Sequence, residues 1–392
     1  MAVQLTDYIK GMDMNKGFID FYRKLISINS ISSEIPEQDI SNEEVIDFLN
    51  DYLTDKGFVT KKLPVKNSRN KYNLIAKIGS GAGGLALCGH TDTVPCDEGK
   101  WLSNPFELTE RDNRLYGLGV IDMKGFFAFV YNVIENIELS ALKKPLYVIA
   151  TGDEETNMGG AISLQEQFSD KPDLMIIGEP TSMVPVIMHK GHVVQGVRVK
   201  GKGGHSSNPD AGTNAIKIMH EVVGGLLNLE KELKERYHEE LFQIPYPTSN
   251  IGKISGGDAP NRICENCELL FDIRPIPGHG VEEMMKLTRE VLQPVLNKYP
   301  QNIELFVPYE PTEPFGGKIS DETVKYLEEV TGKNAVAVNY ATEATYYQNI
   351  SETVVLGPGS IDMAHQPNEY LDMDEIAPAQ DILLSIVKRY CM

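Results

Sequence analysis

The runs Leu85–Cys88, Leu146–Ala150, Leu174–Ile177 and Val354–Leu356 carry only apolar or aromatic side chains. A strand with one wet face alternates polar and apolar residues. Runs without alternation belong to strands covered on both faces, as in a parallel sheet flanked by helices. Helical stretches near Lys16–Ile28, Ser41–Lys56, Gly125–Ile137 and Gly159–Phe168 lie before or between such runs, with a further strand at Tyr72–Ile78. The fold class read from this order is α/β. The texture changes after Pro185. Val186–Lys200 alternates, a helix spans about Thr213–Glu235, strands follow at Asn250–Ile254 and Glu268–Ile273, then a helix near Val281–Asn297 and a strand near Ile303–Val307. That is β-α-β-β-α-β, the order of a ferredoxin-like unit. It predicts a domain inserted at 185–307 into a discontinuous one made of 1–184 and 308–392.

At 392 residues with 41% hydrophobic side chains, the chain has material for two packed domains. Its 37 basic and 56 acidic residues give a net charge of −19. That charge repels phosphate, so no nucleic-acid partner is expected. No apolar run reaches the length of a membrane span, and no membrane partner is expected. The opening residues, MAVQLTDYIKGMD, lack the basic and apolar regions of a secretory signal. Cys88, Cys96, Cys264, Cys267 and Cys391 are too scattered for a disulfide framework, so a reducing cytoplasm is the expected location.

The chemistry-bearing residues follow the strands. Leu85–Cys88 runs into Gly89-His90-Thr91-Asp92, Tyr116-Gly117-Leu118-Gly119 leads to Asp122, and Leu146–Ala150 runs into Asp153-Glu154-Glu155. Leu174–Ile177 runs into Glu179, and Val354–Leu356 runs through Gly357-Pro358-Gly359 to His365. Ligands of open α/β sheets bind beyond the carboxyl ends of strands. Imidazoles and carboxylates converging there suit divalent cations, zinc first. Against two dications, Asp122, Glu155 and Glu179 leave roughly one positive charge, which a hydroxide neutralises. Of the adjacent Glu154 and Glu155, pointing different ways on an extended segment, one can ligate while the other acts as general base. Asp92 is placed to accept the second ring N–H of His90. The alternative for the acidic residues is helix capping.

Other signals carry less. Gly79, Gly81 and Gly84 fit a dinucleotide fingerprint in spacing, but a strand follows them instead of a helix, so a turn is expected. Cys264 and Cys267, if extended, face opposite sides and lack further ligands. His189, His192, His220, His238 and His279 are read as packed or solvated side chains.

Four motifs together resemble the dinuclear-zinc aminoacylase/carboxypeptidase (M20) family: Gly89-His90-Thr91-Asp92-Thr93-Val94-Pro95, Gly117-x-Gly119-x-x-Asp122-Met123-Lys124-Gly125, Asp153-Glu154-Glu155 and Gly178-Glu179-Pro180-Thr181. The likeness runs nearly the whole chain. It implies a mixed-sheet, zinc-peptidase-like catalytic domain with an inserted ferredoxin-like dimerisation domain. It implies two divalent ions per chain, zinc expected and cobalt tolerated. His90 and Glu179 hold one ion, His365 and Glu155 hold the other, Asp122 bridges, and Glu154 is the base. The family also implies a cis peptide at Asp122-Met123. Its inserted domain dimerises, with His205 reaching the partner's site to stabilise an oxyanion. Asn261 and Arg274 match positions that bind polar groups and the carboxylate of substrate, and Glu343 is matched to a side-chain ammonium.

Finer motifs, among them Trp101-x-x-Asn104-Pro105-Phe106, Gly204-His205-Ser206-Ser207-Asn208-Pro209 and Gly256-Gly257-Asp258-Ala259-x-Asn261-Arg262, resemble the branch that deacetylates N2-acetyl-L-ornithine in arginine biosynthesis. The expected partner is thus a small N-acyl amino acid, and the expected assembly a homodimer. The alternatives are another N-acyl amino acid hydrolase, such as a desuccinylase or general aminoacylase, and a catalytically silent amino-acid-binding protein.

Overall fold

A computed structural model of the chain describes residues 16–392. The opening residues read for a secretory signal lie outside that range. The chain forms two compact units. One comprises the described residues up to Ile187 with Lys318–Ala335 and Tyr346–Met392; the other comprises Met188–Gly317 with Val336–Thr345. The second unit therefore extends past 307, and it includes a later segment that carries Glu343.

In the first unit, neighbouring strands run in the order Val59–Pro64, Tyr72–Ile78, Leu146–Thr151, Leu85–His90, Leu174–Ile177 and Glu352–Val355. The last four of these pair in parallel. Tyr72–Ile78 and Val59–Pro64 add an antiparallel edge, making the sheet mixed. Every residue of Leu85–His90, Leu146–Thr151 and Leu174–Ile177 is buried, which explains their unbroken apolar runs. Helices 16–27, Phe126–Glu135 and Ile376–Cys391 contribute to the same apolar core. Val59–Pro64 escapes sequence reading because VTKKLP mixes lysines into a half-exposed edge. A small sheet of Tyr370–Asp372, Arg114–Tyr116 and Thr109–Arg111 stands apart from the main one.

Gly89 marks a close approach. A Cβ there would lie 2.6 Å from Met123 Cε, so any larger residue requires the end of the Met123 side chain to shift from the strand that ends at His90.

The second unit holds an antiparallel sheet in the order Thr248–Gly256, Asn266–Arg274, Val193–Lys200 and Ile303–Phe306. Helices Ala215–Arg236 and Val281–Lys298 bury Val222, Leu226 and Leu287 with Leu269 and Phe271 of the sheet. The longer helix starts cleanly because Asn214 Oδ1 accepts the N–H groups of Ile216 and Lys217. Val186–Lys200, expected as one strand, is two. The Gly191 N–H turns to Pro275 O and the His192 N–H to Thr312 O, which ends pairing between His189 and Val193. Cys264 and Cys267 are both buried in one apolar cluster, because Cys264 lies outside the strand that carries Cys267. The two cysteines do not share one extended segment, so the condition for placing them on opposite faces is not met. Gly79, Gly81 and Gly84 adopt positive φ in a turn. No helix of the described residues is long and apolar enough to cross a membrane.

Candidate metal centre

His90, Asp92, Asp122, Glu154, Glu155, Glu179 and His365 all lie in the first unit. His90 ends its strand, Glu154 and Glu155 follow Leu146–Thr151, and Glu179 follows Leu174–Ile177. Asp122 comes from the loop after Arg114–Tyr116, in the small sheet. His365 has φ 58°, a left-handed backbone that histidine tolerates better than most residues.

Among the described residues the ligand atoms form three groups, of which two share Asp122: His90, Asp122 and Glu179, and Asp122, Glu155 and His365; the third joins His90, Glu154 and Glu155. Within each group the atoms lie within 4.8 Å of one another. His90 Nε2 is 3.1 Å from Asp122 Oδ1 and 3.7 Å from Glu179 Oε1. His365 Nε2 is 3.2 Å from Asp122 Oδ2 and 3.1 Å from Glu155 Oε2. Zinc bonds of about 2.0–2.2 Å at tetrahedral angles place ligand atoms roughly 3.3 Å apart. The observed spacings fit that edge length, and each Asp122 oxygen serves a different group. Glu155 Oε1 is buried without a hydrogen-bond partner, as suits a side chain built to meet a cation.

The electrostatics agree. Burial alone would raise the Asp122 carboxyl, but hydrogen bonds from His365 and His90 hold it below the usual carboxylate range. Hydrogen bonds to Asp122 and Glu155 push His365 up to about 11. Burial opposes charging of His90, yet Asp122 and Glu179 raise it as well. Without a metal, the anionic cage favours the protonated form of His365 through neutral pH. A binding ion must displace that proton. Zinc affinity is therefore expected to rise with pH through neutrality, by about tenfold per pH unit for each proton displaced. Chelator competition at acid and alkaline pH measures this, and pH-independent affinity would contradict it.

Three local expectations change. The Nδ1–H of His90 donates to the backbone carbonyl of Asp92 at 3.0 Å, while the Asp92 carboxylate lies 3.8 Å away. A carbonyl only accepts, so the proton sits on Nδ1 and Nε2 faces the ligand cluster. The Asp92 carboxylate instead accepts the N–H groups of Glu154 and Glu155, both at 3.2 Å. Those two residues begin a helical turn, Glu154–Asn157, and are not extended. The carboxylate explains this, since it takes two N–H groups that a helix start leaves unsatisfied. The Asp122–Met123 peptide is also not cis: no cis bond occurs among the described residues. A non-proline cis bond costs about 2.5–4 kcal/mol, and the Ile121 and Asp122 N–H groups bond to Glu369 with the chain trans.

His205, Asn261, Arg274 and Glu343 lie in the second unit. Gly204–His205 pairs with Arg262–Ile263, and the Ser206 N–H donates to Asn261 O, so His205 and Asn261 share one exposed edge. The Ser207 N–H donates to His205 Nδ1 at 3.2 Å, and Ser207 Oγ lies 2.7 Å from the same nitrogen. A backbone N–H cannot accept, so Nδ1 is the acceptor and Nε2 carries the proton. Arg274 Nε donates to Asp272 at 3.0 Å, forming an ion pair. Glu343 is fully buried. Next to it, the Thr342 N–H donates to His189 Nε2. His189 is packed as expected, and burial holds it down at about 4. Sequence reasoning missed Glu369 and Lys124, both buried beside the Asp122 loop.

Residues 86–389 match Peptidase family M20/M25/M40. The chain is 48% identical to an acetylornithine deacetylase from Erwinia tasmaniensis and 47% identical to one from Shigella sonnei. Each likeness covers 95% of this chain and 98% of the relative. Among solved structures, a tripeptidase from Staphylococcus aureus superposes with a TM-score of 0.75 at 19% identity, covering 95% of this chain and 97% of that one. The chain belongs to the M20 family and is a hydrolase of amide bonds.

Proposed function

We propose that the chain hydrolyses N2-acetyl-L-ornithine to L-ornithine and acetate, a step of arginine biosynthesis, with two divalent ions, zinc expected and cobalt tolerated. The observation that carries the chemistry is the pair of Asp122 oxygens at 3.1 and 3.2 Å from two different histidines. The near full-length similarity to proteins named acetylornithine deacetylase supports the substrate. When bound, the ions polarise the acyl carbonyl and acidify water. His90, Asp122 and Glu179 hold one, and Asp122, Glu155 and His365 hold the other. Glu154 takes the proton of the attacking water and returns it to the departing α-amine. Asp92 holds the backbone of Glu154 and Glu155. His205 of a second copy donates its Nε2–H to the developing oxyanion. Asn261 and Arg274 bind the substrate's polar and carboxylate groups, and Glu343 takes the side-chain ammonium.

A homodimer through the second unit fits its surface. Thr248–Gly256 is a sheet edge with exposed outer residues. Ile254 and Ile216 are 57% and 48% exposed, beside a cleft of about 400 Å³ that Met219, His220 and Val223 also line. Open edges and apolar patches of this kind call for a cover. The free cysteines suit a reducing cytoplasm.

A hydrolysis panel tests the assignment. N2-acetyl-L-ornithine is expected to be cleaved with kcat/KM at least tenfold above N-acetylmethionine and N-succinyl-diaminopimelate. Preference for the succinyl compound would make the chain a desuccinylase, and equal rates a general aminoacylase.

A further inference from the structure

We propose that Glu369 is the positioning residue that sets Asp122 for its two ions. The proposal rests on reading Asp122 as the bridge.

Glu369 is 1% exposed. Its Oε2 accepts the Gly119 N–H at 3.0 Å; its Oε1 accepts the N–H groups of Ile121 at 2.8 Å and Asp122 at 3.2 Å. Its own carbonyl accepts the Gly117 N–H at 3.2 Å. Gly119 turns through φ 78°, and a Cβ there would meet Thr93 and Lys124 within 3 Å. The loop that carries Asp122 is therefore gathered around one carboxyl group, and its conformation depends on that group's reach and on an acceptor at each of its two oxygens; burial and the Asp122 charge push the group up to about 8, against the three backbone N–H bonds.

The arrangement is crosswise. Two residues after His90, Asp92 holds the backbone of Glu154 and Glu155. Four residues after His365, Glu369 holds the backbone of Asp122. Each histidine segment thus anchors carboxylates delivered by another segment. Outer groups that orient ligands in this way typically change metal affinity by 10–100-fold when removed.

The test uses the full chain. Glu369→Gln keeps the shape but turns one end of the group into a donor, which then faces an N–H. Zinc affinity by chelator competition is expected to fall about 10–100-fold. The thermal midpoint and circular dichroism of the metal-free protein should stay close to the parent, and kcat at saturating zinc should fall with KM little changed. Parent zinc affinity in Glu369→Gln overturns the proposal. So does a loss of metal-free stability with unchanged affinity, which marks a merely structural role. If Glu369→Gln fails to fold, Glu369→Asp, which keeps the charge but shortens the reach, is read in the same way. Asp122→Asn run in parallel separates the two ideas. If it keeps both ions, the bridge itself is wrong; if it loses them while Glu369→Gln does not, only the role of Glu369 fails.

Discussion

Glu154→Ala is expected to lower kcat by about 10²–10⁴, the usual contribution of a positioned general base, while two ions per chain remain bound. Glu154 and Glu155 stand side by side at the start of one helical turn, and Asp92 fixes the backbone of both. Their surroundings differ. Glu155 Oε2 is 3.1 Å from His365, and its carboxylate shares a ligand group with Asp122. Burial and the Asp122 charge raise its carboxyl, against the hydrogen bond from His365 and the His90 and His365 charges. Among the described residues, Glu154 forms a ligand-sized group with His90 and Glu155 and none that contains Asp122. That position suits a group beside the attacking water. Metal analysis of the purified variant decides between the roles. Retention of both ions with lost turnover supports the assignment; loss of an ion on Glu154→Ala means that Glu154 ligates and the two roles are exchanged.

Asp122→Ala should have the broadest effect, because both ligand groups contain that residue. Metal content is expected to fall toward zero and turnover to vanish with it. Glu179→Ala and His365→Ala each strip one group only, and are expected to leave about one ion per chain. The comparison is made by metal analysis after dialysis against a weak chelator. Equal losses in all three variants would mean that the two positions are not joined through Asp122.

Much of this site is legible in the sequence because of how a parallel sheet is built. His90, Glu155 and Glu179 each follow an apolar run closely, His365 follows one after a short loop, and the sheet brings those run ends to one side. Asp122 is reached differently, from a separate small sheet, yet its spacing from Gly117 and Gly119 still marks it. Other features depend on tertiary contacts that spacing does not encode. Asp92 lies two residues from His90, which suggested a carboxylate–imidazole bond. The carbonyl sits nearer the ring, and the carboxylate turns to N–H groups about sixty residues along the chain. Glu369 is further still from its partners, 247 to 250 residues away, and meets them because Tyr370–Asp372 pairs with Arg114–Tyr116. The break at Lys190–His192 is likewise set by Pro275 and Thr312, far along the chain, so an alternating pattern conceals it.

The central claim is that Asp122 joins two cations, with a histidine on either side. Anomalous diffraction from crystals of the zinc-loaded protein tests it most directly. The account predicts two peaks about 3.5–4 Å apart, one contacting Asp122 Oδ1, His90 and Glu179, the other Asp122 Oδ2, His365 and Glu155. A single peak, or two peaks that do not share Asp122, would contradict it.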